Sequence, residues 1–146
     1  GYQAKLFIAY PSYLPPDRIW DDFGPASDKD LVSCLEKAIR LQADDIELGA
    51  ELWKAYQACD LLSLKSLSNR QSACFPYLKE VCQAQSERLS GSETEDRPER
   101  TVRQIMGEGI TSFGEVFREF HRREGVYGFG DVQFRKIYEK VNSSQE

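Results

Sequence analysis

Residues 98–141 constrain the fold more than any other part of this chain, because helix caps, breakers and apolar spacing agree there on one small unit. Proline suits a first helical position, and from Pro98 the residues Val102, Ile105 and Met106 share one side of a helix that Gly107 and Gly109 end. Ser112 and Glu115 stand at capping-box spacing, which starts a second helix near Phe113. In it Phe113, Val116, Phe117 and Phe120 recur at i, i+3, i+4 and i+7, with Glu115, Arg118, Glu119 and Arg122 on the other side. Gly125 closes that helix, and the glycine-rich residues 125–130 form a turn. Asp131 is placed to cap a third helix, with Phe134, Ile137, Tyr138 and Val141 inward and Gln133, Lys136 and Lys140 outward. Three amphipathic helices on tight turns have the form of a helix-turn-helix, whose last helix can enter a DNA major groove.

The rest of the chain reads as a helical region with one short strand. Residues 4–10 are rich in strand formers and stop at Pro11, which predicts a strand. A strand needs a partner, either in upstream sequence, in a second copy, or in an extended piece such as Arg18-Ile19-Trp20. Trp20 and Phe23 are expected to pin the irregular connection onto the core. Ser27 and Asp30 begin a helix expected to run through Leu31, Leu35 and Ile39 to about Leu41. Asp44 is expected to cap a longer helix to about Cys59, with Leu48, Leu52, Trp53 and Tyr56 as its apolar stripe and Gly49 admitting a close neighbour. A short helix over residues 61–67 follows, then one over residues 72–89 that tolerates Pro76 only in its first turn. Residues 90–97 are polar and charged and read as a flexible linker. The expected organisation is thus mainly α: a helical region with an N-terminal strand over residues 1–89, the linker, and a tri-helical helix-turn-helix-like unit over residues 98–146.

No catalytic or metal-binding signature is legible, and no cofactor is expected. Cys34, Cys59, Cys74 and Cys82 lack the short spacing of zinc or redox motifs and are expected to be buried, reduced thiols. Asp44, Asp45, Glu47 and Glu51 gather early in one helix, where carboxylates complement the helix dipole rather than converge on a cleft. His121, the single histidine, lies near a helix C-terminus among arginines and has no orienting partner in sequence. The 146 residues carry a net charge of −5, while residues 98–146 are balanced, so broad polyanion binding is disfavoured. No apolar run is long enough to span a bilayer, and a cytoplasmic protein is expected. The chain begins with Gly1 rather than methionine and is expected to be a fragment of a longer protein.

Leu52-Trp53-Lys54-Ala55-Tyr56 with Asp60, Ala73-Cys74-Phe75-Pro76-Tyr77-Leu78, Thr101-Val102-Arg103-Gln104-Ile105, Phe113-Gly114-Glu115-Val116-Phe117 and Gly130-Asp131-Val132-Gln133-Phe134 form an ordered series of short motifs. The series resembles an uncharacterised bacterial domain-of-unknown-function family with an α/β N-terminal half and a helical C-terminal half. The resemblance implies that this chain corresponds to the later portion of such a protein, without the opening α/β segment. It carries over no catalytic residues. Leu61 stands where the family pattern tends to have proline, and the five residues after Val141 leave no room here for the wing of a winged-helix DNA binder.

Three functions follow as expectations. The first is a non-catalytic protein-interaction or scaffolding module with a protein partner or self-association. The second is a DNA-binding regulator using Gln133, Arg135, Lys136 and Lys140, since glutamine can pair with adenine edges and cations with guanine or phosphate. The third is an enzyme whose active site needs the missing N-terminal half.

Overall fold

A computed structural model describes residues 4–89 and 95–144. The chain divides into two compact units that meet between Lys79 and Glu80.

In the first unit the N-terminal strand finds its partner inside the chain. Strand β1, Phe7–Ile8, pairs antiparallel with β2, Ile39–Arg40, in the register Ile8 to Ile39 and Phe7 to Arg40. The Leu41 N–H extends the ladder to the Leu6 carbonyl at 3.0 Å. Of the expected kinds of partner it is an extended piece of the same chain, Ile39–Arg40 rather than Arg18-Ile19-Trp20. The helix expected to run to Leu41 is α1, Asp28–Glu36, and it stops early so that β-branched Ile39 can enter the sheet. Its start is a reciprocal capping box: Ser27 Oγ accepts from Asp30 N–H, and the Asp30 carboxylate accepts from Ser27 N–H at 2.9 Å.

Helix α2, Ala43–Gln57, is preceded by Gln42 rather than Asp44 at its N-cap, and Asp45 accepts the Gln42 N–H at 2.9 Å. The helix buries Leu48 and Ala55 with Leu52 between them, while Trp53 and Tyr56 are exposed. Leu48, Leu52 and Ala55 also satisfy i, i+4, i+7, and alanine rather than an aromatic completes the inward stripe. After α2 the Asp60 N–H bonds the Ala55 carbonyl and the Cys59 N–H bonds the Tyr56 carbonyl, with Cys59 at φ 51°. That is a Schellman turn with cysteine where glycine is usual. Asp60 then caps α3, Leu61–Leu67, by accepting the Ser63 N–H at 3.0 Å. Trp20 is half-buried against Tyr77, 5.3 Å between rings, whereas Phe23 is exposed.

Helix α4, Leu78–Leu89, begins six residues later than expected, because Pro76 biases Phe75 away from helical geometry and residues 72–77 form turns. It spans the boundary between the units. Its later residues belong with the second unit: the Tyr127 hydroxyl donates to the Ala84 carbonyl at 2.9 Å, Arg97 pairs with Glu87, and the Arg88 guanidinium lies over the Phe129 ring. The expected boundary at residues 89/90 is therefore displaced to 79/80. Of the expected linker, residues 90–94 lie outside the described residues. The remainder is ordered, since Glu95 pairs with Arg103 and Asp96 caps the next helix.

Helices α5, Arg97–Gly107, α6, Phe113–Glu124, and α7, Asp131–Ser143, contact one another pairwise and enclose a single core. Val102, Ile105 and Met106 of α5 meet Val116 and Phe120 of α6 and Phe134 and Val141 of α7. Two expected caps differ in detail. Ser112 donates to the Glu115 carboxylate instead of accepting a backbone N–H, and Gly130, not Asp131, is the N-cap of α7. Between α6 and α7 a 3₁₀ turn, Gly125–Tyr127, ends at Gly128, whose φ of 57° favours glycine.

Candidate functional site

The acidic start of α2 is a cap joined to the loop before α4, of which Cys74 is buried. Asp45 receives the Ser72 hydroxyl at 2.7 Å and the Cys74 thiol at 3.4 Å, besides the Gln42 N–H. The Ser72 hydrogen bond, then that from Gln42, holds the Asp45 carboxyl below the usual carboxylate range. Burial, then the hydrogen bond to Asp45, pushes the Cys74 thiol up, which disfavours the nucleophilic thiolate. The Tyr10 hydroxyl donates to the Cys74 carbonyl and ties the N-terminal segment to this loop. The cluster thus joins three segments of the first unit. All four cysteines are free, and Cys59 is exposed rather than buried as expected. Among the described residues no group of three or more His, Cys, Asp or Glu is arranged to hold a metal ion.

The four residues expected to contact nucleic acid all lie on α7, and three are engaged within their own unit. Gln133 Oε1 accepts the Gly130 N–H at 3.3 Å, Arg135 lies 4.0 Å over the Phe113 ring, and Lys140 pairs with Glu99 of α5. Lys136 is exposed, with no ion pair or hydrogen bond among the described residues. Two of the three arginines of α6 are occupied in the same way. Arg122 and Arg123 both donate to Glu119, and Arg123 also reaches Glu108. The hydrogen bonds from Arg122 and Arg123 pull the Glu119 carboxyl down to about 2. His121 donates from Nε2 to the Phe129 carbonyl at 2.9 Å, because that oxygen can only accept, and so anchors the turn before α7.

One charged group of the second unit is nearly buried. The Glu124 carboxylate, only 8% exposed, accepts from Arg97 and from the Thr101 hydroxyl, while Arg97 also pairs with Glu87. Every oxygen there is matched by a donor, so the arrangement holds helix α6 to α5 rather than presenting an unpaired acid.

What sequence reasoning missed is a set of exposed apolar side chains on the first unit. On α1, Leu31, Val32 and Leu35 are all exposed, Leu35 by 72%, and only Cys34 is buried. In the sheet Leu6, Phe7 and Ile39 are exposed, and on α2 the exposed Trp53 and Tyr56 rings stack at 5.6 Å. A signal was present: apolar residues 31, 32, 34 and 35 spread around a helix too widely for one inward face.

Compared with protein-family models, with curated proteins and with solved structures, the chain matches none. No helix among the described residues is long and apolar enough to cross a membrane.

Proposed function

We propose that this chain is a non-catalytic protein-interaction or scaffolding module of a larger cytoplasmic bacterial protein, of the kind its motif series resembles. The observation that carries this is the concentration of exposed large apolar side chains in the first unit, on α1, α2 and the two-stranded sheet. Scattered exposed apolar residues are ordinary, but several on consecutive elements of one small unit mark a surface that another protein covers. The aromatic pair Trp53 and Tyr56 adds the residue types favoured at interface centres. The groups that resemble catalytic machinery are instead satisfied internally: Asp45 by Ser72 and Gln42, Glu124 by Arg97 and Thr101.

The test combines sedimentation with affinity capture, comparing the parent chain with a Val32→Asn, Leu35→Asn, Trp53→Asn variant. The parent should self-associate or retain a protein partner. The variant should lose that association while unfolding at the same denaturant concentration, because exposed residues contribute little to folding. A parent that stays monomeric and captures nothing defeats the proposal. So does a variant that is strongly destabilised, since those residues would then belong to the core.

A further inference from the structure

We infer that α1 is a self-pairing helix, which packs antiparallel against α1 of a second copy of this chain. The inference rests on the interaction-module reading and names its partner. Helix α1 is nine residues long, and buried Cys34 fixes which side faces its own unit. At 100° per residue Val32 lies almost opposite Cys34 and marks the centre of the outward face. Leu31 and Leu35 flank it on one side, with exposed Asp28 at the N-terminal end of that flank. Lys29 and Glu36, seven residues apart and both exposed, flank it on the other. Neither Lys29 nor Glu36 makes an ion pair among the described residues.

This layout distinguishes an antiparallel self-pair from a parallel one. In an antiparallel twofold pair each flank meets the same flank of its mate, whereas in a parallel pair opposite flanks meet. A twofold axis between Val32 and Ser33 therefore sets Lys29 opposite Glu36 of the second copy, and Glu36 opposite its Lys29. The same axis brings Val32 beside its counterpart and seals Leu31 and Leu35 against Leu31 and Leu35 of the second copy. A parallel pair would put the charged flank on the leucines. Both the charge pattern and the apolar pattern are thus self-complementary about one axis. A contact built from two short helices belongs at the weak end of interfaces, so association is expected at about 100 μM rather than at nanomolar concentration.

Sedimentation equilibrium of the full chain from about 10 μM to about 1 mM at low salt tests this, with circular dichroism to check folding. Dimerisation is expected, and Leu35→Glu should abolish it without changing the dichroism. Lys29→Glu alone, or Glu36→Lys alone, replaces both attractive pairs by repulsive ones and should weaken the dimer by about tenfold. The two single variants mixed together should form a heterodimer as tight as the parent, because every cross-pair is again of opposite charge. The double variant, which swaps the charges within one chain, should recover parent affinity. Charge variants that dimerise like the parent overturn the inference. A chain monomeric at 1 mM also overturns it; if that chain still retains a heterologous protein in a Leu35-dependent manner, the interaction-module reading survives, and if it retains none, both fall.

Discussion

Gly49 was expected to admit a close neighbour, but a Cβ built there meets only the Phe75 ring tip at 3.8 Å, an ordinary contact. Nothing in the geometry then offsets the backbone entropy that glycine costs inside a helix. Gly49→Ala should raise the unfolding free energy by about 0.5–1 kcal/mol, measured by urea denaturation. At Cys59 the reasoning reverses. Its φ of 51° is forced by the Schellman turn, its side chain is exposed, and a residue with a Cβ costs about 1 kcal/mol in that conformation. Cys59→Gly should therefore stabilise the chain by about that amount, and Cys59→Val should destabilise it. The same turn leads into α3, where Asp60 supplies the helix start through its side chain, so position 61 need not be preset by a proline ring.

Between α5 and α6 a nearly buried carboxylate, Glu124, links the two helices, and the spacing of apolar residues does not reveal it. Removing Glu124 would leave the Thr101 hydroxyl and one side of Arg97 without an acceptor next to the helix interface. Glu124→Ala should cost about 2–3 kcal/mol, less than for an isolated buried pair because Arg97 keeps Glu87. A shift of the urea midpoint with unchanged slope would show this, while a change below 0.5 kcal/mol would mean that water replaces the carboxylate without loss. Elements of this second unit were legible because each repeats one signal several times: Val102, Ile105 and Met106, or Phe113, Val116, Phe117 and Phe120, and a glycine after each. In the first unit the signals conflict. Ile39 and Leu41 continue the apolar period of α1, yet pairing with Ile8 and Leu6 outweighs helix continuation, and that pairing is non-local. Trp53 and Ala55 compete for the inward side of α2, and hydrophobicity alone picks the wrong one. The spread of apolar residues around α1 signals that some are exposed, but not which, since only tertiary contacts define the direction of the core.

For the whole molecule, the distribution of charge decides what α7 offers a nucleic acid. Net charge is −5, and half of the basic residues of the second unit, Arg97, Arg103, Arg122, Arg123 and Lys140, are ion-paired at short range. Surface ion pairs are weak and can be exchanged for phosphates, so pairing alone does not forbid binding. Lys140, however, neutralises Glu99, whose side chain is only 12% exposed, and transfer of Lys140 to a phosphate would leave that carboxylate uncompensated in a poorly hydrated place. Arg135 would have to leave the Phe113 ring, and Gln133 the N-cap of α7. Arg118 and Lys136 are the exposed cations of α6 and α7 with neither an ion pair nor an aromatic partner among the described residues. Two neutralised phosphates give affinity that falls only about tenfold between about 50 and 200 mM salt, against several orders of magnitude for a dedicated binder. Titration of a fluorescent mixed-sequence duplex should accordingly show no saturable binding at either salt concentration, and Lys136→Glu should change nothing. Tight binding at low salt that is lost both at high salt and in Lys136→Glu would instead require Lys140 and Arg135 to leave their partners, and would make α7 a recognition helix.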